Sequence, residues 1–292
     1  MRVILIGAGG QLGADLEREC RRRGHELHAW GRGRLDITDS GAVQRGIAPL
    51  RPDWVINAAA YNDVAGAEKR PEDALRANAL GVRAIAQACD ATCATLLHYS
   101  TDYVFSGDKR RPYAESDSPL PLSAYGVSKL AGELFARATV RSHYILRVAG
   151  VYGPCGRRTR RGNFVEAVLR QCAEGRPLRV VGDQFTTPTF GPAIASRSLD
   201  ILERRTPFGL YHLGGGQTVS WHEFAARVCA HAGRPVAIAA TALDDHSRGV
   251  RRPRHSALSN AKIEAAGIER MPSIDDCLRE YLFLRDRACS RQ

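Results

Sequence analysis

Short apolar runs alternate with stretches of helical period through the first half of the chain. The pattern predicts strands near 2–6, 26–30, 53–57, 95–99 and 143–148, and helices over 11–23, 72–89 and 123–138. Strands separated by helices imply a parallel sheet covered on both faces, an α/β fold. Past residue 150 the pattern loosens into shorter elements. Helices fit 163–174, 190–204, 220–233 and 275–287, and a strand fits 209–213. A polar, proline-containing segment over 106–122 reads as a loop placed to border a site. The run Arg157-Arg-Thr-Arg-Arg-Gly162 is expected to be a mobile loop. There is no internal repeat or low-complexity stretch.

Composition narrows the class. With 292 residues, 44% hydrophobic and 25% charged, the chain has the make-up of an ordinary globular protein. No apolar stretch approaches the roughly 20 residues that span a bilayer, so no membrane partner is expected. The start, Met1-Arg-Val-Ile-Leu-Ile6, lacks a signal-peptide pattern and fits a first strand. Eight scattered cysteines without paired CxxC spacing suggest neither a disulfide framework nor a zinc site. A reducing cytoplasm is the expected setting, with no protein metal site. The net charge of +11 comes from arginine clusters at 21–23, 157–161 and 251–254. Aromatics are only 7% and do not interleave with them, so nucleic acid is not the expected partner. A basic cleft for diphosphate ligands, with the remaining charge solvated, is sufficient.

Three segments carry candidate chemistry. Gly7-Ala-Gly-Gly-Gln-Leu-Gly13 follows the first apolar run and precedes a helical stretch. Glycines at 7, 10 and 13 suit a tight turn, backbone approach to a pyrophosphate and close helix–strand packing, with free N–H groups facing the phosphates. The spacing is GxxGxxG rather than GxGxxG, and a plain glycine turn is the competing reading. Leu96-Leu-His-Tyr-Ser-Thr101 is an apolar strand ending in hydroxyls, at the strand end where open parallel sheets collect functional groups. Ser100-Thr101-Asp102 would alone serve equally as a cap or turn. Tyr125 and Lys129 lie four apart on a predicted helix and share one face. A phenol keeps its proton to about pH 10, and a nearby ammonium lowers that threshold. Such a pair makes an acid for a carbonyl near neutral pH. The same spacing also describes a half-buried ring beneath a solvated amine.

Taken together, these segments resemble the extended short-chain dehydrogenase/reductases, and more narrowly the dTDP-4-dehydrorhamnose reductase family. The matching stretches are GAGGQLG (7–13), LDITD (35–39), PDWVINAAAY (52–61), HYSTDYVFSG (98–107), YGVSKLAGE (125–133), RVAGVYG (147–153), NFV (163–165) and DQFTTPT (183–189). The resemblance implies a Rossmann-type doubly wound parallel sheet over 1–150. A smaller C-terminal α/β substrate-binding domain would span 151–292, with some chain returning to the sheet. It implies Tyr125 as general acid to a sugar C4 ketone, Lys129 on the nicotinamide ribose, and Thr101 bonded to the same carbonyl oxygen. It places Gly7, Gly10, Gln11, Leu12, Gly13, Arg32, Asp36, Ile37, Ala58, Ala59 and Ala60 around the dinucleotide, with Tyr125 and Lys129. Tyr103, Asn163 and Phe164 would join Thr101 at the substrate, although Phe164 equally suits a core. Asn78 matches a structural asparagine.

The second strand ends in His28-Ala-Trp-Gly-Arg32-Gly-Arg34, with two arginines and no acid. An acid there would bind a ribose 2′-hydroxyl, whereas arginine suits a 2′-phosphate. NADPH is therefore expected ahead of NADH, which stays open beside a solvated-loop reading. Magnesium-linked dimers occur among such relatives; a homodimer is compatible, but no Mg2+ ligand set carries over. Departures fall on the substrate side. The family's tryptophan before Val-Tyr, implied to stack on thymine, is Gly150 here; its threonine after Tyr61 is Asn62, its Val-Asp is Val64-Ala65, and Gly-x-Pro-Thr is Thr186-Thr187-Pro188-Thr189. The resemblance implies an NADPH-dependent C4-ketoreductase of a nucleotide-linked 6-deoxyhexose, first of all dTDP-4-dehydro-6-deoxy-L-mannose, and these departures leave open a related 4-keto-6-deoxy sugar or a different base. Epimerase or dehydratase chemistry would want Asp-Glu after Thr101, where Asp102-Tyr103 stands. A non-catalytic subunit on the same fold would not need Thr101, Tyr125 and Lys129 together.

Overall fold

The computed structural model describes residues 1–158, 162–246 and 249–289. The predicted mobile loop at 157–162 therefore falls in part outside the described residues. The chain begins β1 (Arg2–Ile6), α1 (Gln11–Arg22), β2 (Glu26–Trp30), α2 (Ser40–Ile47) and β3 (Trp54–Asn57). Two short helices, α3 (Val64–Lys69) and α4 (Pro71–Leu75), lead through a π-helical turn at Arg76–Leu80 into α5 (Gly81–Thr92). Then come β4 (Thr95–Thr101), α6 (Ala124–Thr139) and β5 (His143–Val148).

Six strands form one parallel sheet. Its order is β2-β1-β3-β4-β5-β10, where β10 (Gly209–His212) is contributed by the later part of the chain. Strand order reverses between β1 and β3, and ligands of open α/β sheets bind at the carboxyl ends beside such a reversal.

Side chains of a strand alternate between faces, and the core divides accordingly. Ile4, Ile6, Val55, Leu96 and Ile145 pack with Val43, Ile85 and Ala136 from α2, α5 and α6. Val3, Leu5, Ile56, Leu97 and Leu146 face the other way, onto Leu16 of α1 and the elements that follow β5. Those elements are β6 (Val151–Tyr152), α7 (Phe164–Ala173), β7 (Leu178–Val181), β8 (Phe185–Thr186), β9 (Thr189–Phe190) and α8 (Gly191–Arg204). After β10 follow β11 (Val219–Ser220), α9 (Trp221–His231), β12 (Ile238–Thr241), α10 (Ala261–Ala265) and α11 (Ile274–Cys289). Small pairs β6–β9, β8–β11 and β7–β12 tie this part together.

The helix expected over 72–89 is interrupted. Pro71 opens α4, and the π turn then widens the coil around Asn78. Asn78 is buried, and its amide accepts from the Tyr61 N–H at 2.8 Å and donates to the Tyr61 carbonyl at 2.9 Å and to Ser128 Oγ at 3.0 Å. The insertion turns one side chain inward to brace the chain after β3 and the middle of α6, a use typical of π turns near functional sites.

Candidate active site

The glycine turn is shaped by contact. Gly7 has φ +89°, and a methyl there would sit 2.5 Å from the Ala59 amide nitrogen. A methyl on Gly13 would overlap the Gly7 carbonyl oxygen, so α1 lies hard against the end of β1. Gly10 caps α1 without a side chain, and no acidic residue occupies the first turn. The leading N–H groups and the positive end of the helix dipole are thus left to an anion. Opposite, Asn57 accepts from the Ala59 N–H at 3.1 Å and donates to His98 Nδ1 at 3.1 Å. Burial holds His98 well below the usual histidine range, so its neutral ring is the acceptor that fixes this asparagine.

Two cavities run along the carboxyl edge of the sheet and share Gly9, Gly10, Arg32, Ala58 and Asn62. The smaller, about 600 Å³, is lined by Gly7, Arg32, Asp36, Ile37 and Ala58–Tyr61, together with Arg70, Asp73 and Arg76. Arg32 is largely exposed and stands 3.6 Å from Asp36. The Asp36 carboxyl accepts from the Thr38 N–H at 2.9 Å and its hydroxyl at 2.8 Å, which hold it below the usual carboxylate range. Arg34 instead lies over the Trp30 ring at 5.9 Å. Only one of the two arginines read from the sequence faces this cavity. Arg70, between α3 and α4, and Arg76, at the start of the π turn, reach it from a stretch whose local pattern gives no such hint.

The larger cavity, about 1410 Å³, takes in Gln11, Leu12, Gly13, Ser100, Thr101, Tyr103, Tyr125, Gly150, Asn163, Phe164 and Trp221. Thr101 ends β4, and Tyr125 stands in the first turn of α6, whose cap Ser123 accepts from the Gly126 N–H at 3.1 Å. The Thr101 hydroxyl lies close enough to the Tyr125 phenol to favour its ionised form, and both line the cavity. Tyr103 sets its ring edge-on to Tyr125, 6.0 Å between centroids. Thr101 Oγ1 accepts from the Tyr103 N–H at 3.2 Å and donates to Asp102 at 3.1 Å. Burial pushes Asp102 up to about 6, and it accepts from Ser256 Oγ at 2.6 Å. Asn163 caps α7 and donates to Gln11 Oε1 at 3.0 Å, while Gln11 donates to the Val151 carbonyl at 3.0 Å. That chain of bonds ties the glycine turn to the C-terminal part.

Lys129 differs from expectation. It is 3% exposed and lines neither cavity, and its ammonium donates to the Tyr99 carbonyl at 2.6 Å. Burial brings Lys129 down to about 8, against the Glu133 carboxylate, which raises it. Nor is the phenol lowered in the protein's own field. Desolvation first, then Asp102 and Tyr103, hold Tyr125 above its ordinary value, with the nearby Thr101 hydroxyl acting in the other direction. A buried ring loses more from missing water than a cation engaged elsewhere returns.

Beneath this cluster lies a network no motif announced. Glu133 and Arg147 are both buried and meet through two bonds, 2.8 and 2.6 Å. Ser100 donates to Glu133 at 2.5 Å. The Arg147 guanidinium also lies over the Phe105 ring and reaches His212 at 3.4 Å. Glu133 is four residues beyond Lys129 on α6, so Tyr125, Lys129 and Glu133 form one row. Among the described residues, no group of three or more His, Cys, Asp or Glu side chains is gathered for a metal, and no helix is long and apolar enough to cross a membrane.

Comparison with known proteins places the chain in a family. The family described as RmlD substrate binding domain matches residues 1–284. Spore coat polysaccharide biosynthesis protein SpsK of Bacillus subtilis is 35% identical over 99% of each chain. The dTDP-4-dehydrorhamnose reductase of Streptomyces griseus is 38% identical over 92% of this chain and 88% of its own. The crystal structure of dTDP-4-dehydrorhamnose reductase from Bacillus anthracis, in complex with NADP, superposes with a TM-score of 0.91 at 32% identity, over 97% of this chain and 98% of that one. The chain therefore belongs to the RmlD substrate binding domain family and is an NAD(P)H-dependent oxidoreductase of the dTDP-4-dehydrorhamnose reductase kind.

Proposed function

We propose that the chain reduces the C4 ketone of a nucleotide-linked 6-deoxyhexose with NADPH, converting dTDP-4-dehydro-6-deoxy-L-mannose to dTDP-L-rhamnose. One observation carries the reading: Thr101 and Tyr125 line the same cavity as the glycine turn. The uncapped start of α1 suits the pyrophosphate. Arg32, beside the end of β2, suits a 2′-phosphate better than a free ribose hydroxyl. NADPH, when bound, supplies the hydride to the ketone carbon. Tyr125 gives its proton to the ketone oxygen, yielding the alcohol. Its raised pKa keeps that proton in place across the physiological range. Thr101 has a single hydroxyl proton, directed at Asp102 in the protein alone, and rotates it to the ketone oxygen to orient the substrate. Lys129 is assigned to the nicotinamide ribose hydroxyls; its ammonium is buried on the Tyr99 carbonyl, so this role requires the side chain to move toward the cavity when the cofactor binds. Tyr103, Asn163 and Phe164 surround the sugar.

The test mixes purified protein with NADPH or NADH and enzymatically prepared dTDP-4-dehydro-6-deoxyhexoses. Oxidation of the reduced cofactor, matched to sugar alcohol formation and faster with NADPH, is the expected result. Cofactor binding without turnover would instead point to a binding subunit. Tyr125→Phe is expected to lower kcat at least about a hundredfold with little change in NADPH affinity, since positioned acid catalysis contributes on that scale. Near-normal turnover by that variant rejects the role.

A further inference from the structure

The substrate cavity has an aromatic wall where residue 150 offers none. Gly150 stands two residues beyond Val148, and Val148 is the register partner of Thr101 across β4 and β5. A methyl on Gly150 would lie 3.1 Å from Cη2 of Trp221 and 3.6 Å from Cζ2. The indole thus covers the space a side chain at 150 would use. Gly150 also has φ +50°, a backbone geometry that disfavours a side chain there. Trp221 is firmly mounted: it opens α9 behind a capping box made by Ser220 and Glu223. Its ring leans on Phe164 at 4.7 Å, and Phe164 stacks on Phe224 at 5.7 Å. It remains partly exposed and lines the cavity with Thr101, Tyr103 and Tyr125.

Distance selects what that wall meets. One strand spacing and two residues of chain keep the Gly150 backbone within about 12 Å of Thr101. A sugar whose ketone rests on Thr101 and Tyr125 fills that span, whereas a base lies beyond a diphosphate. We propose that Trp221 is a specificity-determining residue whose indole packs against the apolar C–H face and methyl group of the 6-deoxyhexose. This rests on the reductase reading above.

The experiment compares wild type and Trp221→Ala as full chains, using the dTDP-4-dehydro-6-deoxyhexose and, as competitive inhibitor, free dTDP. Losing an apolar wall in a binding pocket is worth about tenfold to a hundredfold in kcat/KM, and that loss is expected here. The dTDP inhibition constant and NADPH affinity are expected to stay at their wild-type values. Unchanged kcat/KM overturns the proposal. An equal loss of dTDP affinity also overturns it, because the indole would then serve the base. If Trp221→Ala does not fold, as judged by lost NADPH binding, Trp221→Phe and Trp221→Leu replace it. The phenyl variant is expected to retain more sugar selectivity than the leucine, and equality overturns the proposal. Absence of turnover in the wild type sinks the reductase reading separately. The wall is then judged by calorimetry, as the ratio of dTDP-L-rhamnose to dTDP affinity, which must collapse in Trp221→Ala.

Discussion

Tyr125 shows how far a residue's chemistry depends on what surrounds it. The spacing from Tyr125 to Lys129 is visible in the sequence, and so is the polarity of both groups. Their dielectric surroundings are not, because burial arises from contacts many residues away. The ring therefore holds its proton more tightly than the pair alone would imply, and Lys129 becomes the group that titrates near neutrality. Its ammonium is charged below about 8 and neutral above. If that charge assists the reaction, kcat/KM falls about fivefold from pH 8 to pH 9, as a single titration requires. The phenol contributes no limb of its own in this range. A profile flat to pH 9.5 would contradict the assignment, and Lys129→Met is expected to be slow at every pH with the limb gone.

At the level of elements, the alternation of strands and helices in the first half was legible because apolar period and length both mark it. The break in the helix expected over 72–89 was not. Arg76–Leu80 contains good helix formers, and only the fold's demand for Asn78 inside explains the π turn. The row of short strand pairs after β5 was equally hidden, since two-residue strands have no period to read. Gly132 is the contact through which α6 meets that turn: a methyl on it would overlap the Asn78 carbonyl oxygen. Propensity alone says Gly132→Ala should stabilise α6 by roughly 1 kcal/mol. Packing says the opposite, a loss of about 1–3 kcal/mol, accompanied by slower turnover as Tyr125 shifts with the helix. Thermal melting and kcat together decide, and a raised melting temperature would show that the helix gives way freely.

At the scale of the whole molecule, one buried cluster runs from Val3 and Leu5 of β1 through Leu199 of α8 to Phe224 of α9 and Tyr281 of α11. Sheet and C-terminal elements share that core instead of each enclosing a separate one. Unfolding is therefore expected as one transition, with circular dichroism and tryptophan fluorescence coincident. Two separated midpoints would show that the parts melt independently. The general chemistry was legible through motifs of the first half and the family through stretches reaching to residue 189, whereas Trp221, Arg70 and Arg76 reach the cavities only by folding. The bond from Ser256 to Asp102 spans 154 positions and ends beside Thr101. Any lifting of that distant serine strips a donor from a buried acid that competes for the threonine's only proton. Exchanging Ser256 alone leaves the glycine turn untouched, while the threonine hydroxyl then answers to a carboxyl no longer kept in check.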